Sequence, residues 1–515
     1  MDSRSTPAPV AARVATFLAQ PPLVLEISLW VLLVAATAGM RIYLCHLLPA
    51  YFWSDDGNSY AGPAFHWLNT GELVFDGRRG PVYTLLIAAA LKTFGTVLSV
   101  IWFQHVLNAL AILCTVAVAR IWSGRASVLP LFACGVALAL YGLPLHLGHL
   151  IRNETMLFFF SSMALGAWWL ALKYDRAGWY FLAALATTLL SMTKNVFVVF
   201  PLVLVASVLV FSGPGWRTRG IRLAILVAGL ALPVVALKIH DLTAKRVAVP
   251  EPQAGILFFG RTAQWTKLDG GTDQDLKEII RADIEAYRRL PKLDNNIIIK
   301  RTAVPHLWKA LQARHQTPTD LDHLCRKFAM EAVRDQPGAW GRQILGDLET
   351  LQLRAGVKNE FPSDKQIIDA QKSLREYAGP SRRLHPTMDG ERMEAILASR
   401  LEGDPFHFFH RCLDHSWLFQ DYPVLFTTLA LLLVFLFTRG KARFFFLGIA
   451  AVWFSNMVLL STVGRPLERY LMPLVPIMFW AMSGAILVAW LALLRKAGGL
   501  TPPPASPNTS VPQET

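Results

Sequence analysis

Long apolar runs alternate with short polar stretches along this chain, and most of the runs approach the roughly 20 residues that cross a bilayer. A shorter apolar run at 81–94 has only 14 residues, a length more typical of an interfacial or re-entrant segment. The pattern predicts an all-α polytopic membrane protein with about ten transmembrane helices. The predicted spans are 23–45, 98–120, 127–149, 153–172, 178–193, 195–212, 221–239, 418–438, 443–462 and 470–494.

The basic residues of the short loops predict which loops face the cytoplasm, because Lys and Arg accumulate on that side. With a cytoplasmic N-terminus at 1–22, every inner loop of the ten-span arrangement is basic. Counting 81–94 as a span would move these loops outside, so we place this segment on the outer surface. The basic residues of the inner loops are Arg120, Arg125, Lys173, Arg176, Arg217, Arg219, Arg222, Arg439, Lys441 and Arg443.

This arrangement also predicts the domains of the chain. An extracytoplasmic domain follows the seventh span, is mainly helical and contains no catalytic motif that we recognise. The first outer loop contains a short amphipathic helix at 61–68, beside the interfacial segment. The predicted parts are the N-terminal membrane domain 23–240 with its outer loop 46–97, the extracytoplasmic domain 241–417, the C-terminal membrane helices 418–494 and a disordered cytoplasmic tail 495–515.

Composition supports the membrane class and argues against nucleic-acid binding. The chain is 53% hydrophobic and 17% charged, whereas soluble proteins carry about 25% charged residues. The net charge is +14, but residues 241–417 are nearly balanced, with 27 basic and 25 acidic residues. The excess therefore belongs to the membrane part, where it fits topology and anionic headgroups.

Cysteine and histidine spacing predicts no metal or redox motif. The five cysteines are scattered without a CxxC pair, and the histidines of the membrane part show no ligand spacing. Cys325 and Cys412 both lie in the predicted extracytoplasmic domain. The sequence does not decide whether they form a disulfide or remain two unpaired thiols. The histidines considered are His66, His105, His146 and His149.

Two adjacent carboxylates, Asp55 and Asp56, follow the first span among aromatic residues. They suit a metal-binding pair, a general base or a helix N-cap, since a helix is predicted directly after them. The cap is a strong alternative. Partial desolvation beside cations makes such a carboxylate a good acceptor of a proton from an attacking hydroxyl.

Other charged residues collect on the predicted outer face, against the positive-inside bias, and a bound phosphate would offset their cost. Glu154 starts the fourth span, where the helix dipole alone also favours an acid. Lys194 lies between two spans and is either functional or a snorkelling surface lysine. Arg465 and Arg469 flank Glu468, so a salt bridge would leave one arginine for a ligand.

Taken in order, these motifs resemble membrane glycosyltransferases of the GT-C class. The resemblance is to the bacterial protein-mannosyltransferase and aminoarabinose-transferase-like (dolichyl-phosphate-mannose-protein mannosyltransferase) group. It covers about 41–215 and 440–480, with Asp55-Asp56 where the group usually has Asp-Glu and Gly80-Pro81 where it often has Pro-Pro. The matching motifs are Asp55-Asp56, Tyr60, Ala64 to Gly71, Arg152-Asn153-Glu154-Thr155, Thr193-Lys194 and Arg469-Tyr470-Leu471-Met472-Pro473.

The resemblance implies an enzyme of the plasma (inner) membrane whose active site faces the periplasm or cell exterior. A sugar would move from a polyprenyl-phosphate donor to a hydroxyl of an envelope glycan, lipid or protein, with inversion. It implies Asp55 as base, with Asp56 and Glu154 shaping the site. A divalent metal between the acids stays open, but the resembled members work without one, so no metal ligand is assigned. The implied substrate-binding residues are Tyr60, Arg41, Arg78, Lys194, Arg465, Arg469 and Tyr470.

Two other functions stay open at this stage. A transporter or flippase of lipid-linked sugars would place its charged residues near mid-bilayer, whereas here they cluster at the outer face. A non-catalytic envelope assembly protein would use the outer domain for partners and Asp55-Asp56 only as a helix cap. Neither the sugar nor the acceptor follows from the sequence.

Overall fold

The structure is a computed structural model in which 21 α-helices are described. It describes residues 10–47, 57–72, 80–194, 197–213, 215–243, 254–270, 273–289, 295–353, 423–462 and 468–497.

The membrane part of the chain is helical both before residue 244 and after residue 422. Its N-terminal helices are α1 (Val10–Ala19), α2 (Leu23–Leu47), α3 (Gly57–Thr70), α4 (Pro81–Phe94), α5 (Val97–Ser123), α6 (Val128–Ala139), α7 (Gly142–Gly148), α8 (Glu154–Tyr174), α9 (Ala177–Thr193), α10 (Phe200–Phe211) and α11 (Trp216–Thr243). Its C-terminal helices are α19 (Pro423–Phe437), α20 (Gly440–Thr462) and α21 (Val475–Lys496), and a 3-10 helix at Glu468–Leu474 leads into α21.

The prediction of an all-α polytopic membrane protein is confirmed over the described ranges, where the elements are helices. Six of these helices are long and apolar enough to cross a membrane: α2, α5, α8, α11, α20 and the helical stretch that ends with α21. Helical structure lies within each of the ten predicted spans, although several helices are short, and ten crossings stay a prediction. The predicted span 127–149 is broken at Leu140 and Tyr141, between α6 and α7.

The predicted interfacial elements are present as helices. α4 matches the short run at 81–94, and α3 includes the predicted helix at 61–68. α4 begins with Pro81 at its first turn, where the missing N–H costs nothing, and ends at Gly95, whose φ of 73° is left-handed. Both helices contribute buried residues to the core of the membrane part.

Aromatic side chains fill the centre of this core. Trp168 of α8 is fully buried and packs on Phe445 of α20 at a centroid distance of 4.7 Å, and Phe445 packs on Trp480 of α21 at 5.0 Å. The Trp168 indole N–H donates to Ser207 Oγ at 2.7 Å, so its one polar atom is satisfied. The N-terminal and C-terminal membrane helices therefore share one core.

The described helix ends meet at two opposite ends of the membrane part. Arg120 in the last turn of α5 pairs with Glu26 in the first turn of α2. Lys173, near the end of α8, donates to the carbonyl of Ile121. We call this the Arg120 end. α8 starts at Glu154, and we call the opposite end the Glu154 end.

Residues 254–353 build a second, smaller core. Its buried residues include Phe259, Ile284 and Phe328, and Asp322 accepts from the backbone N–H of Gly255 and Ile256 at 2.7 and 3.1 Å. Cys325 is a buried thiol that forms no disulfide within the described residues, and Cys412, with which it could pair, lies outside them. The helices are α12 (Ala254–Thr262), α13 (Gln274–Ile279), α14 (Arg281–Arg288), α15 (Asn295–Arg301), α16 (Ala303–Gln312), α17 (Pro318–Asp335) and α18 (Pro337–Leu353).

Candidate functional site at the Glu154 end

Two tyrosines, one from α3 and one from α4, form one wall of the site. Tyr60 of α3 and Tyr83 of α4 are 3% and 0% exposed, and their rings meet edge to face at 5.0 Å. The Thr84 hydroxyl donates to the Tyr60 carbonyl at 3.3 Å. Because Tyr60 lies one turn into α3, this packing holds the start of α3 against α4.

Gln104 of α5 connects this wall to the segment between α7 and α8. Its side-chain N–H groups donate to the carbonyls of Gly148 and Leu150, each at 2.8 Å, and its carbonyl oxygen accepts from the Tyr83 hydroxyl. Gln104 is fully buried. One amide thus connects two backbone carbonyls of this segment, of which that of Leu150 also accepts from the Arg152 backbone N–H at 2.8 Å.

The Asn153 side chain connects the segment that leads to Glu154 with the end of α9, which leads to Lys194. Its side-chain N–H donates to the Thr193 carbonyl at 3.0 Å, across a sequence separation of 40 residues. Thr193 ends α9 and Lys194 follows it, while Glu154 begins α8 directly after Asn153. This contact brings the two predicted charged motifs, around Glu154 and Lys194, to the same place.

Gly80 lies so close to the end of α9 that no side chain fits. A Cβ atom at Gly80 would lie 1.5 Å from the carbonyl oxygen of Met192. Gly80 also precedes Pro81, the first residue of α4. The Gly-Pro pair of the sequence motif therefore sets the approach of α4 to the segment that carries Lys194.

Glu154 is 3% exposed and stands in the first turn of α8, where the helix dipole favours a negative charge. Burial raises the pKa of Tyr83 well above its usual value, and the negative charges that Tyr60 and Glu154 can carry act in the same direction. The Tyr83 phenol therefore stays protonated, as its role as donor to Gln104 requires. An acid favoured only by the helix dipole and an acid that acts at the site would both occupy this position.

Arg41 lies deeper than the sequence predicts. It is 3% exposed and its Nη1 donates to the carbonyls of Thr37 at 2.9 Å and of Ala139 at 3.4 Å. Ala139 ends α6, and the break between α6 and α7 follows it. Arg41 thus holds one side of that break, and its predicted contact with a phosphate stays a prediction.

The backbone segment that carries Arg469 and Tyr470 packs near the site. The 3-10 helix at Glu468–Leu474 packs against α7 and α8, close to the start of α8. Arg469 and Tyr470 belong to this segment. The remaining predicted site residues lie outside the described residues: Asp55, Asp56, Arg78 and Arg465.

The sequence reasoning missed three of the residues that hold this site, Tyr83, Gln104 and Asn153. Gln104 and Asn153 are polar residues within or beside apolar runs, which was the available signal. A buried amide in a membrane helix must find a partner, so its presence alone indicates a structured polar contact.

The comparisons with known proteins find two solved structures that match this chain at low identity. No family model matches the chain, and no curated protein matches it. The crystal structure of ArnT from Cupriavidus metallidurans bound to undecaprenyl phosphate is 18% identical, covers 81% of this chain and 84% of that chain, and has a TM-score of 0.37. ArnT from Cupriavidus metallidurans in the apo state is 15% identical, with coverages of 84% and 77% and a TM-score of 0.35.

The identities are low, so the function proposed below rests on the residues and contacts of this chain.

Proposed function

We propose that this chain is a membrane glycosyltransferase that moves a sugar from a polyprenyl-phosphate donor to a hydroxyl of an envelope acceptor at the Glu154 end. The observation that carries the proposal is the hydrogen bond from Asn153 to the Thr193 carbonyl, 3.0 Å long. It joins the segment of a buried carboxylate, Glu154, to the segment of a cation, Lys194. An acid beside a cation at one end of an apolar bundle suits a phosphate leaving group and a hydroxyl nucleophile.

In the proposed reaction the acceptor oxygen attacks the anomeric carbon, and its proton passes to the Asp55 carboxylate. The bond between the anomeric carbon and the phosphate oxygen breaks on the opposite face, so the configuration inverts. The lipid phosphate leaves as an anion and needs no general acid, because Lys194 and Arg469 stabilise its charge. Asp56 and Glu154 orient the acceptor, and Tyr60 packs beside the site.

The test is a transfer assay with the purified full-length chain in lipid, a panel of radiolabelled polyprenyl-phosphate sugars and a membrane extract as acceptor. We expect Asp55→Asn to lower transfer by about 100-fold or more, the usual range for losing a general base. Glu349→Gln, an exposed carboxylate of α18, is the matched control and should transfer like wild type. If Asp55→Asn transferred sugar as well as wild type, the general base would be Asp56 or Glu154 instead.

A different outcome separates the enzyme from a flippase. Wild-type protein that binds a polyprenyl-phosphate sugar but transfers from no donor in the panel would overturn the transferase. Movement of labelled lipid between the leaflets of a vesicle would then be the activity to measure.

A further inference from the structure

Three potential metal ligands from three separate segments meet near the Glu154 end. They are Cys45 near the end of α2, His105 of α5 and His149, which follows α7. One donor atom from each side chain lies within 4.8 Å of the other two, and the residues are 4%, 2% and 1% exposed. Sequence spacing gave no sign of this cluster, because about 60 and 44 residues separate its members.

The two histidines face each other closely. His105 Nε2 lies 2.7 Å from His149 Nδ1, and the ring centroids are 4.5 Å apart. His105 Nδ1 is buried and has no hydrogen-bond partner in the described part of the chain. A Cβ atom at Gly148 would lie 2.7 Å from His105 Cε1, so the imidazole fits here only because residue 148 is glycine.

We propose that Cys45, His105 and His149 bind a zinc ion. A thiolate with two imidazoles is a ligand set that zinc takes in proteins, and three protein ligands leave a fourth position for water. Tetrahedral coordination with Zn–N distances of about 2.1 Å separates two nitrogens by roughly 3.4 Å. The imidazole nitrogens, 2.7 Å apart in the structure, must therefore move apart when the ion binds.

A buried cation lies beside the cluster. Arg41 is 3% exposed and lies one helical turn before Cys45 on α2, so its charge opposes a bound cation unless one of the ligands is an anion. Arg41 Nε and Nη2 are buried with no hydrogen-bond partner in the described ranges, so they are able to donate to a metal-bound thiolate.

The position of the cluster gives the ion a structural role. Cys45 lies ten residues before Asp55, and His149 lies five residues before Glu154. A metal would tie together the helix that leads to one acidic motif and the segment that leads to the other. The inference about the metal does not depend on the proposed reaction.

The test measures zinc bound by the purified full-length chain in lipid after exposure to Zn²⁺ and desalting. We expect about one zinc per chain in wild type, loss in Cys45→Ser and in His105→Gln, and retention in Cys134→Ser, a partly buried cysteine of α6. Equal zinc in wild type and in the Cys45→Ser/His105→Gln double variant would overturn the site. So would wild type that retains no zinc, which would leave an ordinary hydrogen bond between the histidines.

Cobalt supplies a readout that does not depend on how well the variants fold. Co²⁺ bound to wild type should show thiolate-to-metal charge-transfer absorption, which reports a bond to sulfur directly. The band should persist in Cys134→Ser. A band that is absent from correctly folded wild type would contradict ligation by Cys45.

Discussion

The two ends of the membrane part are held together by different chemistry. At the Arg120 end the contacts are charged: Arg120 donates to both carboxylate oxygens of Glu26 at 2.8 and 3.0 Å, and Arg222 pairs with Asp175 at 2.9 Å. Lys173 and Lys441 donate to carbonyls in the last turns of helices, where cations complement the dipole. Charged side chains at this end therefore fix the helix ends to one another.

At the Glu154 end several of the contacts that position the backbone are made by neutral groups. Amides and a phenol make them: Asn153 to Thr193, Gln104 to Gly148 and Leu150, and Tyr83 to Gln104. These hydrogen bonds hold the loop before α8 through neutral groups, whereas charged groups close the helix ends at the Arg120 end. We therefore expect substitutions of charged residues to affect stability more at the Arg120 end than at the Glu154 end.

The largest effect should come from Gly80→Ala, because the added methyl would overlap the Met192 carbonyl at 1.5 Å. The backbone must shift, and we expect a loss of about 3 kcal/mol in stability, the upper end for overpacking. Thermal unfolding in detergent measures it. Gly178→Ala, at the opposite end of α9 with open space around it, should be neutral or slightly stabilising. Equal melting temperatures for the two variants would show that α4 does not approach α9 as described.

Lys194→Gln tests whether charge at the Glu154 end serves chemistry rather than folding. We expect transfer to fall by about 100-fold, or roughly 2.7 kcal/mol, with little change in melting temperature. Lys173→Gln at the Arg120 end is the matched control and should keep transfer within about twofold. A large loss of stability with Lys194→Gln would instead make Lys194 a structural residue.

The sequence predicted the helices well because hydrophobic runs decide where a membrane helix forms. α2, α5, α8 and α20 lie within three residues of their predicted spans at each end. The break between α6 and α7 was missed because hydropathy does not record a turn inside a long apolar run, although Gly142 and Pro144 directly after the break were a local signal. Arg41 contacts this break, and its bonds to the carbonyls become clear only in three dimensions.

The candidate site was predictable as motifs but not as contacts. Glu154 and Lys194 were found because charges near apolar runs are costly and therefore informative. Their supports were missed, since a hydrogen bond between Asn153 and Thr193 depends on the packing of α8 against α9. The same limit applies to Cys45, His105 and His149, which share no local spacing.

Arg120→Met tests the structural role of charge at the other end. Glu26 would lose two hydrogen bonds while its side chain stays 16% exposed, so we expect a loss of about 2 kcal/mol in stability. Transfer per folded molecule should stay at the wild-type level. Arg125→Met, an exposed residue near the same end, should change stability by less than about 0.5 kcal/mol. Unchanged stability in Arg120→Met would mean that the ion pair contributes nothing to closing α2 on α5.

The smallest effect should come from Tyr83→Phe, which removes one hydroxyl and keeps the ring that packs on Tyr60. Gln104 then loses the donor to its buried carbonyl oxygen, and we expect a loss of about 1 kcal/mol in stability. Tyr174→Phe is the control, because Tyr174 is 48% exposed near the Arg120 end and its hydroxyl reaches water. Denaturation of both variants in the same detergent measures the difference. Equal stability would contradict the view that neutral hydrogen bonds hold the Glu154 end, since Tyr83 supplies the donor that connects α4 to that network.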